Sequence, residues 1–141
     1  MRLVLDASVA AKWFNIEELS EEAVRVKDAH VSGDVELIAP THIIYEVGNS
    51  ICKNKQLTHE DTSDAIISLL RLDMQLLPPT IERASRAIKI ARQRRTTFYD
   101  ATYLQAAEEL NVALLTADER QATAGEGIVK IVHLHEARLR F

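Results

Sequence analysis

Four acidic residues, Asp6, Glu46, Asp100 and Asp118, occupy positions where a folded chain can use them for chemistry. Asp6 ends the apolar run Leu3-Val4-Leu5, and Asp118 follows a second run, Val112-Ala113-Leu114-Leu115, through Thr116-Ala117. In open α/β sheets, ligands bind just beyond the carboxyl ends of strands, so an acid there is either a cap for the next helix or part of a site. Glu46 and Asp100 fall early in two stretches with helical patterning. If all four converge, their mutual repulsion makes the group take up protons or hold cations. Oxygen-only ligands suit Mg²⁺ or Mn²⁺, and one or two such ions activate a water and stabilise the leaving oxygen in phosphodiester cleavage. Ser8, Asn49 and Thr116 carry polar groups able to orient a carboxylate or a metal-bound water.

The elements that must position these residues follow from periodicity. Leu3–Leu5 and 112–115 read as strands buried on both faces of a parallel sheet, and 35–39, 74–77 and 128–132 as three more. Between them, helices are expected to about Asn15, from a Ser20 N-cap to Gly33, and from Pro40-Thr41 to about Lys53. Three more are expected over 59–72, from Thr80 to about Arg94, and from Thr97-Phe98 to about Leu110. Thr58 with Asp61 forms a capping box, and the helix after it should bury Ile66, Leu69 and Leu70. Gly125 and Gly127 mark a loop before the last strand. Trp13 reads as a core anchor and Cys52 as a buried helix residue. The alternation of strands and helices predicts an α/β/α sandwich of three layers around a mainly parallel five-stranded sheet, with its chemistry at the carboxyl edge.

The 141 residues form one expected domain, 1–141, with no linker and no repeat; 47% are hydrophobic and 27% charged. No apolar run approaches the roughly 20 residues needed to cross a bilayer, and no signal-peptide pattern opens the chain, so it reads as cytoplasmic. A single cysteine excludes an internal disulfide and a cysteine-based zinc site. The net charge of −4 disfavours a protein that coats nucleic acid through overall charge, but basic residues are grouped locally. Arg83, Arg86, Lys89 and Arg92 recur every three residues, followed by Arg94 and Arg95. This stripe is either a solvated helical face or, through Arg92, Arg94 and Arg95, a guide for a phosphate backbone. Glycine-rich phosphate loops and a Gly-x-Ser-x-Gly elbow are absent, and His133-x-His135 lacks a third ligand.

Four segments in order carry a family resemblance: Leu3-Val4-Leu5-Asp6-Ala7-Ser8-Val9-Ala10, Glu46-Val47-Gly48-Asn49, Tyr99-Asp100-Ala101-Thr102-Tyr103-Leu104 and Leu114-Leu115-Thr116-Ala117-Asp118-Glu119-Arg120. The chain resembles PIN-domain ribonucleases, and more narrowly the VapC-type toxins of prokaryotic toxin–antitoxin pairs. That resemblance covers essentially the whole chain. It implies a Mg²⁺- or Mn²⁺-dependent endoribonuclease, with Asp6, Glu46 and Asp100 as the most direct metal ligands. Asp118 would complete the site directly or through water, and Ser8, Asn49 and Thr116 match positions that assist the acids. The implied partners are an RNA substrate, a small antitoxin and a second copy of the chain. A PIN-fold protein that binds or processes RNA without being a toxin is the competing reading. A receiver-like phosphoacceptor domain would need a second acid beside Asp6, where Leu5 stands.

Overall fold

The computed structural model describes residues 1–139. Five strands form one sheet: β1 (Arg2–Leu5), β2 (Glu36–Pro40), β3 (Gln75–Leu77), β4 (Ala113–Thr116) and β5 (Ile131–His133). Their spatial order is β3-β2-β1-β4-β5, and every pairing is parallel. Val4 at the sheet centre pairs with Ile38 on one side and Leu114 on the other, all three fully buried. The unbroken apolar composition of β1 and β4 follows from that position, because both of their faces are covered.

Seven α-helices connect the strands. They are α1 (Ala7–Ala10), α2 (Ser20–Ser32), α3 (Ile43–Lys53), α4 (His59–Arg71), α5 (Ile81–Arg94), α6 (Phe98–Leu110) and α7 (Glu119–Gly125). Right-handed crossovers place α1–α4 on one face and α5–α7 on the other, which makes three layers. From β1 the chain steps outward to β2 and β3, then returns past β1 to β4 and moves on to β5 in the other direction. The crevice between the carboxyl ends of β1 and β4 is therefore the topological switch point. No helix among the described residues is long and apolar enough to cross a membrane.

Several local expectations hold. Thr58 and Asp61 make the reciprocal capping box of α4, Thr80 caps α5, and Gly33 ends α2 at φ 85°. Trp13 packs against the core and donates its indole N–H to the Ala23 carbonyl at 2.8 Å.

Others are corrected. Pro40 closes β2 instead of opening α3; it lies beyond the register shared with β1, where its missing N–H breaks no bond to that strand. Ser20 is the first residue of α2 rather than its cap. Its hydroxyl accepts from the Glu17 N–H and donates to the Asn15 carbonyl, closing the preceding loop. Leu70 is exposed, because α4 turns Ala65 and Leu69 inward and leaves Leu70 about 100° further round. Cys52 is exposed for the same reason beside the buried Ile43, Val47 and Ile51 of α3.

Strand β5 begins only at Ile131. Gly125 ends α7, and Gly127, at φ 79°, makes the turn that follows. A Cβ on Gly125 would lie 2.6 Å from the Ile131 side chain and 2.8 Å from that of Leu104, so glycine lets α7 seat against α6 and β5.

Because Leu114 fills the sheet centre without exposure, Leu114→Ala should cost about 2–5 kcal/mol. Urea denaturation will check this as a lowered midpoint at unchanged slope.

Candidate functional site

Asp6 leaves the end of β1 in extended conformation and is only 4% exposed. Its Oδ2 accepts two hydroxyl protons, from Ser8 at 2.7 Å and Thr116 at 2.6 Å. Each of those hydroxyls in turn accepts a backbone amide: Ser8 from Ala117 at 3.0 Å, and Thr116 from Asp118 at 3.0 Å. Both hydroxyl protons are thereby committed to Asp6, and the 3.3 Å contact between the two oxygens is packing. Oδ1 takes no hydrogen bond among the described residues and is left for another ligand. The ends of β1 and β4 are thus locked together around one carboxylate.

Burial pushes the Asp6 carboxyl up to about 6; the two hydroxyls oppose that shift, and the nearby charges of Asp100 and Glu46 add to it. Asp100 sits half-buried in the first turn of α6, whose N-cap Thr97 accepts the Asp100 amide at 3.0 Å. Burial raises its pKa, with further upward pressure from Glu46 and Asp118. These mutual influences bring all four sequence-predicted acids into one electrostatic neighbourhood. Asp118 caps α7 by accepting the Arg120 amide at 2.8 Å. The buried Gln121 donates to the Asp100 carbonyl at 2.9 Å and ties α7 to α6.

Glu46 faces a part of the pocket that the sequence reading passed over. His42, one turn earlier, approaches Glu46 Oε1 through Nδ1 at 2.9 Å, without the alignment of a hydrogen bond. Thr102 donates to the Tyr99 carbonyl at 2.6 Å, so in its 2.6 Å contact with His42 Nε2 the imidazole is the donor. The His42 ring packs edge-on against Tyr99 and Tyr103. Tyr103 is fully buried, and burial together with the Glu46, Asp6 and Asp100 charges raises its pKa. Glu46 is near enough to act on that phenol, yet no partner meets hydrogen-bond geometry with its oxygen. The i,i+4 spacing of His42 and Glu46 was a readable signal. Tyr103 looked like any core aromatic of α6.

A cavity of about 940 Å³ opens beside Asp100 and Asp118, with Arg94, Arg95 and Arg120 on its lining. Arg92 is not among its lining residues, and Arg120 enters it unforeseen. Arg83 and Arg86, from the same basic stripe, are committed to Glu109 and Glu108. Asn49 is exposed on α3, and no hydrogen bond or ion pair links it to the acids. His133 ends β5 and His135 lies in the following 3-10 helix, with their Nδ1 atoms in contact.

A model of the PIN domain matches residues 3–127. The chain belongs to the PIN-domain family. It is 31% identical over 101 residues to exonuclease VapC9 of Pyrobaculum aerophilum, a match covering 68% of this chain and 73% of that protein. Among solved structures, PAE2754 of Pyrobaculum aerophilum superposes with a TM-score of 0.71 at 22% identity, over 99% of this chain and 97% of the other. VapC20 of Mycobacterium tuberculosis, described as a sarcin-ricin-loop-cleaving toxin, gives 0.69 at 16% identity, over 87% and 95%. At these identities the two structures speak to the fold.

Among the described residues, no three Asp, Glu, His or Cys side chains lie close enough to ligate one ion directly as they stand. Mg²⁺ requires no such cage, since it keeps several waters and is commonly held through one or two carboxylates. The oxygen-only donors of this PIN pocket, and the uncommitted Oδ1 of Asp6, fit such an ion.

The Asp6 shift has a stability consequence. The carboxyl is held above its ordinary 3.8, so below about pH 4 it is protonated in both folded and unfolded chains and costs nothing. Between pH 4 and 6 the folded state retains the proton while the unfolded state loses it, so stability falls as pH rises. In EDTA, Asp6→Asn should therefore be more stable than the parent at pH 7, by on the order of 3 kcal/mol at most. That advantage should vanish toward pH 4 in paired urea titrations.

Proposed function

We propose that this PIN-domain protein is a divalent-metal-dependent endoribonuclease, the toxin of a VapBC-type pair. The observation that carries the reading is the buried Asp6 carboxylate, pinned through one oxygen and bare at the other, with Asp100 and Glu46 in electrostatic contact. A structural acid would have its charge satisfied; here burial first, and the Asp100 and Glu46 charges with it, raise the cost of that charge beyond what Thr116 and Ser8 offset. VapC9, named an exonuclease and 31% identical to this chain over 101 residues, supports nuclease chemistry.

In this reading Asp6, Glu46 and Asp100 would hold Mg²⁺ or Mn²⁺, one or two of them directly and the rest through water, with Asp118 completing the set. The bound ion supplies charge neutralisation and a nucleophilic water at neutral pH. The chain's own contributions are positional. Ser8 and Thr116 fix Asp6 Oδ2, Thr97 presents Asp100 at the start of α6, and Gln121 holds the α7 segment to α6. Arg94, Arg95 and Arg120 border the acids and offer donors to the RNA backbone. The sequence-level candidate Arg92 is exposed on α5 and does not line that cavity. A small antitoxin and a second copy of the chain are the protein partners of this reading.

Labelled RNA incubated with Mg²⁺, Mn²⁺ or EDTA tests it. Cleavage should require the ion and fall at least about a hundredfold in Asp100→Asn, while the melting curve of that variant remains cooperative. Undiminished cleavage by Asp100→Asn, or metal-independent products, would refute the assignment. A circular RNA of the same sequence should be opened; degradation of linear RNA alone would mean an exonuclease. An RNA bound with no metal-dependent product would favour the binding-protein alternative.

The cationic cavity makes a separate prediction. Arg94→Glu and Arg120→Glu should each lower the slope of log affinity against log salt by about 0.7 per lost phosphate contact. Arg92→Glu should change it less, as read by anisotropy titrations in EDTA at several salt concentrations.

A further inference from the structure

On the opposite side of the first turn of α6 from the cationic cavity lies a second cleft, mainly apolar and of about 230 Å³. Pro40, Leu77, Pro78, Phe98, Tyr99 and Ala106 line it; none of the four acids does, but two of its lining residues adjoin them. Tyr99 precedes Asp100 in the chain, and His42, also on the lining, contacts Glu46. Phe98 and Tyr99 are 42% and 61% exposed, an arrangement that leaves two aromatic rings in water beside a polar site.

We propose that this cleft receives one unstacked nucleobase of the RNA substrate, flanking the phosphate at the acids, with Tyr99 as its stacking platform. The inference rests on the nuclease reading above and narrows it to unpaired RNA. Three observations favour a base over other occupants. The volume falls below the roughly 300–1,000 Å³ of pockets that enclose drug-sized ligands, and suits a single ring system. The charge pattern is that of a polynucleotide. A strand crossing the α6 turn meets Arg94, Arg95 and Arg120 on one side, where its phosphates belong, and on the other an aromatic surface whose one arginine, Arg83, is paired with Glu109. Recognition of single-stranded RNA commonly combines these two elements, a cationic track and an aromatic ring on which a splayed base stacks.

The lining also sets the kind of recognition. Its two long polar side chains are already committed: Arg83 bonds Glu109 and the Pro78 carbonyl, and Gln105 bonds Glu109 at 2.6 Å. Stacking and apolar contact therefore dominate over reading of base edges, and the cleft tolerates different bases at that position.

The test uses the full chain in EDTA, so that RNA binds without being consumed. The probes are a set of single-stranded RNA oligonucleotides carrying 2-aminopurine at successive positions, and the matching duplexes. Tyr99→Ala should weaken single-strand binding by roughly 5- to 150-fold, the loss associated with one stacked base. It should also abolish quenching of 2-aminopurine at one position and leave duplex binding unchanged. Tyr99→Trp should restore both affinity and quenching, which a merely structural role would not produce. Phe98→Ala, which leaves the Tyr99 platform in place, should weaken binding less.

Unchanged affinity and quenching in Tyr99→Ala, with binding still sensitive to Arg94→Glu, would overturn the cleft assignment and leave the nuclease reading intact. RNA that fails to bind the parent chain at all would remove both. A shift to lower mass in sedimentation of Tyr99→Ala would make the cleft an interface between copies and likewise overturn the proposal.

Discussion

The interaction on which the rest of the structure depends is the burial of the Asp6 carboxylate between the ends of β1 and β4. Removing a carboxylate from water is costly unless hydrogen bonds or counter-charges compensate. Here compensation is deliberately partial: two hydroxyls serve one oxygen, and the remaining neighbours are acids that increase the cost. The sheet meets that cost because β1 and β4 are fully packed, with Val4, Leu5, Leu114 and Leu115 sealed from solvent. The apolar strands and the strained charge are therefore two aspects of one arrangement, in which packing holds an acid where water would not leave it.

The helix-borne acids depend on connections that cross elements. Asp100 owes its place to the Thr97 cap and to Gln121 reaching from α7. Glu46 belongs to α3 on the other layer, and His42 bridges it to Thr102 and to the tyrosines of α6. Residues far apart in sequence thus hold each other's orientation, and no single segment carries the site. Thr116 and Ser8 close the same circuit between β4 and the turn after β1. Shifting any one of these elements would move a carboxylate relative to the other three.

What was legible in the sequence tracks how local each signal is. Buried parallel strands announce themselves by unbroken apolar composition, so β1, β4 and the acids after them could be placed at the carboxyl edge of the sheet. Capping at Thr58 and Thr80 was equally local. The misplacements arose where tertiary context decided. Pro40 has the pattern of a helix opener, but β3 pairs with it; Ser20 has the pattern of a cap, but its hydroxyl serves the loop before the helix. Leu70 and Cys52 carry apolar side chains onto helix faces that nothing covers, which periodicity predicts only to within about one residue position. His42 was readable from its i,i+4 spacing to Glu46, but Tyr103 and Arg120 gained their places from the approach of α6 and α7, for which one chain offers no pattern.

In the proposed nuclease, the charge arrangement gives the ion a second task, adding to the attraction that the arginines supply. Acids that raise one another's proton affinity repel an incoming phosphate as they repel each other. Arg94, Arg95 and Arg120 lie to one side and cannot neutralise the pocket floor, where Asp6 has no cationic partner among the described residues. In the proposed reading a divalent ion would change the sign of the field at that point and let the backbone continue from the cationic cavity across the acids. The overall charge of −4 discourages indiscriminate attachment to nucleic acid. In the same reading, productive contact would be confined to the short path past the first turn of α6, which separates the cationic cavity from the aromatic cleft.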